Sequence, residues 1–483
     1  MVNYVCLSDQ SKTMKNYRIA WRNLWRNKRR TLITVGSVFF ALFFALILRS
    51  LQLGSYDHMF KNVIESYTGY IQVQNEEFKD NSVVDNAFEF TPEIQKTLMA
   101  NKNISDIIPR FESFALASSG ALTKGVLVLG IDPEKEALLS NIKERLVCYK
   151  LTASVIDTLK RKNFSQEFIS GLELFRGEGY SSEIILQSDL GISDRDATSV
   201  MPVIKKTAYF ANGYISAGKQ EALVGDKLAK FLKVDIGDTL ILLGQGFHGT
   251  TAAGKFVIAG IVRMPTSDID NKIVYLPVDV CREFYNASDM MTSVVLSVKD
   301  NSDKAIKSTI RTLGQKIPLP LRLIGWREMN ELLISQMDAD DKSGRILIGV
   351  LYLIITFGIF GTVLMMTIER KREFGVLVAI GMQKSKLAAV ISVEMFYIGL
   401  LGIISGIAAA LPVIIYGQYH PMRLSGEYVK IYESYGMEPI MPFMPVDNYF
   451  IWQSGIVSLI VVVSIFYPLR KIYKMKVVNS LRA

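Results

Sequence analysis

A run of 23 uncharged, mostly apolar residues, 346–368, ends abruptly in Glu369-Arg370-Lys371-Arg372-Glu373-Phe374-Gly375-Val376-Leu377-Val378-Ala379-Ile380-Gly381. As a helix rising 1.5 Å per residue the run is about 34 Å long, enough to cross a hydrocarbon core of about 30 Å. The charged segment after it cannot stay in lipid, so the join marks a membrane face. Three further stretches, 31–50, 387–416 and 449–469, have the length and composition of spans. The chain is 49% hydrophobic yet holds long polar stretches, which is the balance of a few spans plus a water-exposed domain. The first span is no signal peptide, because no small-residue cleavage site follows it and its apolar run is too long.

The net charge of +9 raises the possibility of a nucleic-acid partner, and its distribution removes it. Residues 1–30, 369–386 and 470–483 together hold 18 Lys/Arg against 3 Asp/Glu, which leaves the remainder of the chain at −6. Basic residues bracketing the spans on one side place both termini in the cytoplasm and residues 51–345 outside. Three cysteines, Cys6, Cys148 and Cys281, make no disulfide framework, and whether Cys148 pairs with Cys281 stays open. His58, His248 and His420 are too scattered to build a metal site.

From Met14 a pattern begins in which Trp21, Leu24 and Trp25 fall at helical spacing among basic residues, including Arg29 and Arg30. It leaves open whether translation starts at Met1 or Met14. Residues 14–30 are expected to form a cytoplasmic amphipathic elbow in contact with headgroup lipids. Apolar spacing beyond the first span continues through Tyr67, and 326–341 reads as helix before the second span, so both spans are expected to extend outward as stalks.

The spelling E-R-x-R-E-x-G-x-L-x-A-x-G after a span resembles the FtsX-like permease domain of MacB-type, four-helix ABC transporters. Glu369, Arg370, Arg372, Glu373, Gly375, Leu377, Ala379 and Gly381 all match, while Val378 stands where the pattern often has a basic residue. The resemblance implies that 369–386 is a coupling segment docking on a separate ABC ATPase dimer. ATP and Mg would then sit on that partner, and this chain would bind no cofactor and do no catalysis. W-R-N-L-x-R-N-x-R-R-T is similar to the start of the same family, with Trp25 inserted. Val-Leu-Gly-Ile-Asp-Pro (128–133), Glu221-Ala-Leu-Val-Gly-Asp and Gly237-Asp238-Thr-Leu are similar to its periplasmic core domain. Residues 141–205, rich in helix formers, fall outside the resemblance and read as an insertion.

Within the external domain, alternation predicts strands at 69–74, 107–118, 124–131, 255–262, 293–298 and 321–325, with helices at 92–100 and 302–314. Gly244-Gln-Gly246-Phe-His-Gly249 and Gly249-Thr-Thr-Ala-Ala-Gly254-Lys255 imitate nucleotide-binding loops. Each would need a following helix, and 255–262 alternates as a strand, so a glycine-rich hairpin is expected instead. Glu394 lies about two turns inside the third span, where a carboxylate is either paired or reaches headgroups; both readings stand. Gly402 and Gly406 have the spacing that lets helices approach closely. Residues 417–448, rich in Pro, Tyr and Met, read as an external loop.

The expected fold is a four-helix membrane domain, N-in and C-in, with a large extracytoplasmic α+β domain between the first and second spans. The expected segments are 14–30 elbow, 31–50, 346–368, 387–416 and 449–469 spans, 51–345 external domain, 369–386 coupling segment, 417–448 loop and 470–483 cytoplasmic tail. The resemblance implies a permease of a bacterial inner membrane, paired with an identical or homologous second permease. Its REFGVLVAIGM and Gly-Tyr-Ile-Gln-Val segments are most like lipoprotein-releasing (LolC/LolE-like) permeases. Work by mechanotransmission, with lipoprotein passed to a periplasmic carrier, is therefore expected. Peptide or drug efflux, and a non-transporting transducer acting on a cell-wall hydrolase, are the alternatives.

Overall fold

The computed structural model describes residues 20–22, 24–26, 28–161, 166–192, 194–424 and 440–474. Cys6, residues 14–19 of the elbow, 425–439 of the loop and 475–483 of the tail lie outside the described residues. The chain divides into two compact units: Met1–Tyr56, Gln336–Met422 and Met441–Ala483 form one, and Asp57–Ser335 with Arg423–Ile440 form the other. The division falls within two long helices, α1 (Lys28–Val63) and α4 (Glu331–Glu369).

The first unit is built from α1, α4, a short helix α5 (Lys371–Ala379), α6 (Lys384–Tyr419) and α7 (Asn448–Tyr473). Four of these, α1, α4, α6 and α7, are long and apolar enough to cross a bilayer. Their shared core contains Val38, Leu42 and Leu46 of α1, Ile359 and Val363 of α4, Met395 and Ile398 of α6, and Val457 and Val461 of α7. Ile346, Leu347, Ile354 and Phe357 of α4 stay exposed, as apolar side chains facing lipid do. Gly402 is required where it sits, because a Cβ there would fall 2.5 Å from the Cβ of Val38. At the far end of this unit, Arg49 pairs with Asp341 and the Tyr56 hydroxyl donates to Asp340. Arg30 and Arg49 are nineteen residues apart on α1, about 28 Å along the axis, which matches the hydrocarbon thickness.

In the second unit nine strands form one sheet: β1 (Ile71–Asn75), β2 (Ile104–Ser119), β3 (Leu122–Ile131), β4 (Glu221–Gly225), β5 (Thr239–Gln245), β6 (Thr251–Val262), β7 (Ile273–Pro277), β8 (Ser293–Val298) and β9 (Leu321–Gly325). Their order is β9-β1-β8-β2-β3-β7-β4-β6-β5, and β5 returns to pair with β2 through Ala115↔Gly244 to Ser118↔Ile241. The strands from β2 to β5 therefore close into a six-stranded barrel, which leaves no free edge on that side. Its interior is packed with Phe111, Val128, Val224, Leu242, Phe256, Val274 and Tyr285.

The 16 residues of β2 serve both halves: 104–110 pair with β8, and 111–119 with β3. On the four-stranded half, α2 (Pro92–Met99) and α3 (Asp303–Gly314) contribute Ile94, Leu98, Ile306 and Leu313 to a second core. Thr91 and Ser302 cap these helices by accepting from the backbone N–H three residues on. Helices Ala153–Lys160, Gln166–Leu174, Glu183–Asp189 and Asp194–Ala208 share a separate core that includes Ile156, Leu172, Leu186 and Ile204. They run from Ala153 to Ala208 and overlap the helix-rich stretch expected at 141–205.

One detail differs from the expectation. The helix expected at 326–341 is broken: Trp326–Met329 ends at Asn330, whose side chain donates to the Trp326 carbonyl at 2.8 Å, and α4 starts afresh at Glu331. A side-chain amide that satisfies a helix-end carbonyl competes with continuation of the helix. The pairing of Cys148 with Cys281, left open by the sequence, is not made: both are free thiols. Burial pushes the Cys281 thiol upward.

Candidate coupling site

Helix α4 ends at Glu369 because Arg370 has ψ near 4°, outside the helical range, before α5 resumes. Helix α5 ends at Ala379, and the chain turns at Gly381, whose φ of +107° is open to glycine and to few other residues; the Met382 N–H closes the turn onto the Leu377 carbonyl at 3.0 Å. The segment is thus a short helix between two corners. Phe374 and Gly375 are buried in the helical core, whereas Arg372, Val376, Leu377, Ala379 and Ile380 are exposed, Ile380 to 80%. Arg372, Val376, Ala379 and Ile380 stand four, three and one residues apart and share one helix face.

Arg370 turns the other way. Its Nη1 donates to both carboxylate oxygens of Glu394 on α6, at 2.8 Å each, and both side chains are almost fully buried. Its Nε reaches Glu373 at 3.4 Å and its guanidinium lies 5.3 Å from the Phe374 ring centroid. Of the two readings open for Glu394, the structure shows the buried pair. Glu373 also accepts from Arg26 at 2.7 Å, and Glu369 pairs with Arg30. Three arginines and three glutamates thus meet around one corner.

The elbow residues are placed around these pairs. Leu24 is buried in the helical core, and Trp21 stands edge-on to Tyr397 of α6 at 5.6 Å and to Trp25 at 6.1 Å. Trp25 and Arg29 are exposed. The Thr31 hydroxyl donates to the Leu24 carbonyl at 2.9 Å; seven residues of straight helix would separate them by about 10 Å, so the chain bends between them. Gly402 and Gly406 face α1, where Val38, Phe39 and Leu42 would meet a Cβ. Sequence reasoning missed Arg26 altogether. The signal was present: Arg26 and Arg30 are four residues apart, as are Glu369 and Glu373.

Residues 345–477 match the family model described as FtsX-like permease C-terminal. The chain carries an FtsX-like permease domain. The matched residues take in α5, α6 and α7 and the part of α4 from residue 345 onward. The lipoprotein-releasing system transmembrane protein LolC of Xylella fastidiosa (strain Temecula1 / ATCC 700964) is 22% identical over 249 residues, covering 50% of this chain and 58% of that protein. LolC of strain 9a5c is 22% identical over 246 residues with the same coverage. The chain thus spans a little over half the length of these curated relatives. Among solved structures, the extracellular domain of the noncanonic ABC-type transporter YknZ from Gram-positive bacteria aligns over 53% of this chain and 100% of its own, at 12% identity and TM-score 0.27. The periplasmic region of MacB from Actinobacillus actinomycetemcomitans aligns over 56% of this chain and 96% of its own, at 12% identity and TM-score 0.29.

Proposed function

We propose that this chain is the permease subunit of an ABC transporter and that α5 docks on a separate ATPase. The observation that carries this reading is the exposed face of Arg372, Val376, Ala379 and Ile380, which stands opposite the buried Phe374 and Gly375. An isoleucine exposed to 80% beside an arginine suits a partner surface, where apolar burial supplies affinity and charge fixes orientation. In this reading both termini and α5 are cytoplasmic, ATP and Mg are held by the partner, and a second permease, identical or homologous, completes the assembly. Helix α4 is continuous from Glu331 to Glu369, so a displacement imposed at Glu369 is carried along one element, which supports mechanotransmission. The low-level likeness to LolC supports lipoproteins, or similar amphiphiles, as the substrate class. They would be taken from the outer leaflet of a bacterial inner membrane and delivered to a periplasmic carrier.

The test is co-purification. The wild-type chain should retain an ATP-hydrolysing subunit, and Ile380→Asp should lose roughly tenfold of it while remaining in the membrane. Undiminished ATPase on both Ile380→Asp and Arg372→Glu would overturn the docking role. Depletion of the chain should raise the inner-membrane share of lipoproteins. An unchanged share would overturn the substrate class and leave the permease.

A further inference from the structure

We infer that Arg26 and Arg30 are positioning residues that set the register of the coupling segment, and that Glu369 and Glu373 are occupied by them rather than offered to a partner. This rests on the docking role of α5 and goes beyond it by dividing its charged residues into an inward and an outward set.

The geometry carries the inference. Arg26 and Arg30 both lie within the bent stretch between Leu24 and Thr31; Glu369 and Glu373 lie on either side of the corner at Arg370. Arg26 meets Glu373 and Arg30 meets Glu369, so the two corners face each other with their order reversed, joined by two rungs. A single exposed ion pair contributes little to stability, and Arg26 and Glu373 are about half exposed. Two rungs at matched spacing act on register instead, since a slip by one position breaks both. Through Glu373 and Arg370 the outer rung continues to Glu394 on α6, a buried pair that tolerates no unmatched charge. Movement of α5 therefore reaches α6 and the start of α1 together. Four elbow arginines are described, and among the described residues only Arg26 and Arg30 make ion pairs with this segment; Arg22 is exposed and makes none.

Charge reversal in the full complex tests this. Arg26→Glu and Glu373→Arg should each reduce co-purified ATPase by roughly fivefold and speed tryptic cleavage at Lys371 and Arg372, and the double swap should restore both to within about twofold of wild type. Arg30→Glu with Glu369→Arg should behave alike, and Arg22→Glu should change neither readout. Should a reversal fail to accumulate in the membrane, Arg26→Gln and Glu373→Gln are compared by tryptic rate, which each should raise. The inference falls if the swap is no better than the single reversals, or if Arg22→Glu matches Arg26→Glu, since general loss of positive charge would then explain the effect. Loss of ATPase on Ile380→Asp with full retention on Arg26→Glu would sink this inference and keep the docking role; retention on both Ile380→Asp and Arg372→Glu would sink the docking role itself.

Discussion

Two buried arginine–glutamate pairs anchor the two units, and they differ in how far their networks reach. Arg110 on β2 is 2% exposed and binds Glu136 through Nε at 2.9 Å and through Nη2, while Nη1 donates to the Tyr67 carbonyl. The Tyr67 hydroxyl donates to Glu112 at 2.5 Å, and burial raises both Tyr67 and Glu112 above their ordinary values. Every strong contact of that cation stays inside the protein, where β2 passes from the four-stranded half to the barrel. Arg370 and Glu394 are as well paired, but their network continues outward through Glu373 to the exposed Arg26. A closed network fixes a joint. An open one lets an event at the surface be felt inside.

The largest expected effect breaks the closed pair. Arg110→Ala strands Glu136 without a counter-charge and should destabilise the intact protein by about 3–5 kcal/mol in a denaturant melt. Arg110→Met with Glu136→Leu removes both charges and should recover most of that loss. For the open pair, Glu394→Gln keeps an oxygen for Arg370, and the Glu373 carboxylate still faces the guanidinium at 3.4 Å, so the charge is not left unmatched and the cost should be only about 1–3 kcal/mol, with a larger fractional loss of ATPase coupling than of stability. Equal stability losses from Arg110→Ala and Glu394→Gln, with coupling unchanged, would erase the distinction.

A third buried carboxylate sharpens the comparison because its hydrogen bonds come from backbone N–H groups and, among the described residues, it makes no ion pair; the Arg263 charge only partly offsets its burial. Asp270 accepts from the backbone N–H groups of Met264 and Lys227, at 2.8 and 2.9 Å, and burial together with the charge of Asp226 raises it to about 7. The folded protein then holds a proton that the unfolded chain releases near 3.8. Its contribution is complete below the unfolded value and is lost as pH rises through about 7. Between pH 5 and 7 stability should therefore fall by on the order of 1.4 kcal/mol per unit, and Asp270→Asn should flatten that slope. A slope unchanged by the substitution would show that other groups set it.

How much of this is legible in the sequence depends on whether the physics is local. The span at 346–368 is visible because about twenty apolar residues in a row have few alternatives to a bilayer. Strand β6 shows its two-residue alternation, and the corner at Gly381 shows a glycine where φ is positive. Closure of the barrel does not show: Ala115 meets Gly244 across more than a hundred residues, and alternation marks a strand without naming its neighbour. The same holds for charges. Glu394 is visibly anomalous within an apolar run, but its partner Arg370 reads as part of a docking motif, and Arg110 reads as one more polar residue on an alternating strand. Asn330 interrupts a helix through its own side chain, and its composition gives no warning of that.

The smallest effect is expected at a cation that belongs to neither kind of network. Lys255 closes a stretch spelled like a phosphate-binding loop, which requires a helix whose first N–H groups point at the phosphates. After Gly246 the chain makes one short turn, Phe247–Gly249, and then enters β6, with Lys255 opposite Ile241 of β5. The side chain is exposed on the barrel wall, and among the described residues it makes no ion pair. Arg110 loses a buried partner when cut back and Arg370 loses a link to the surface, whereas Lys255 has only water to lose. Lys255→Ala should leave stability within about 0.5 kcal/mol and ATP turnover of the assembled complex within about twofold of wild type. A loss of nucleotide binding on this change would mean that the hairpin holds phosphate without a helix, and the separation of ATP hydrolysis onto a partner subunit would have to be given up.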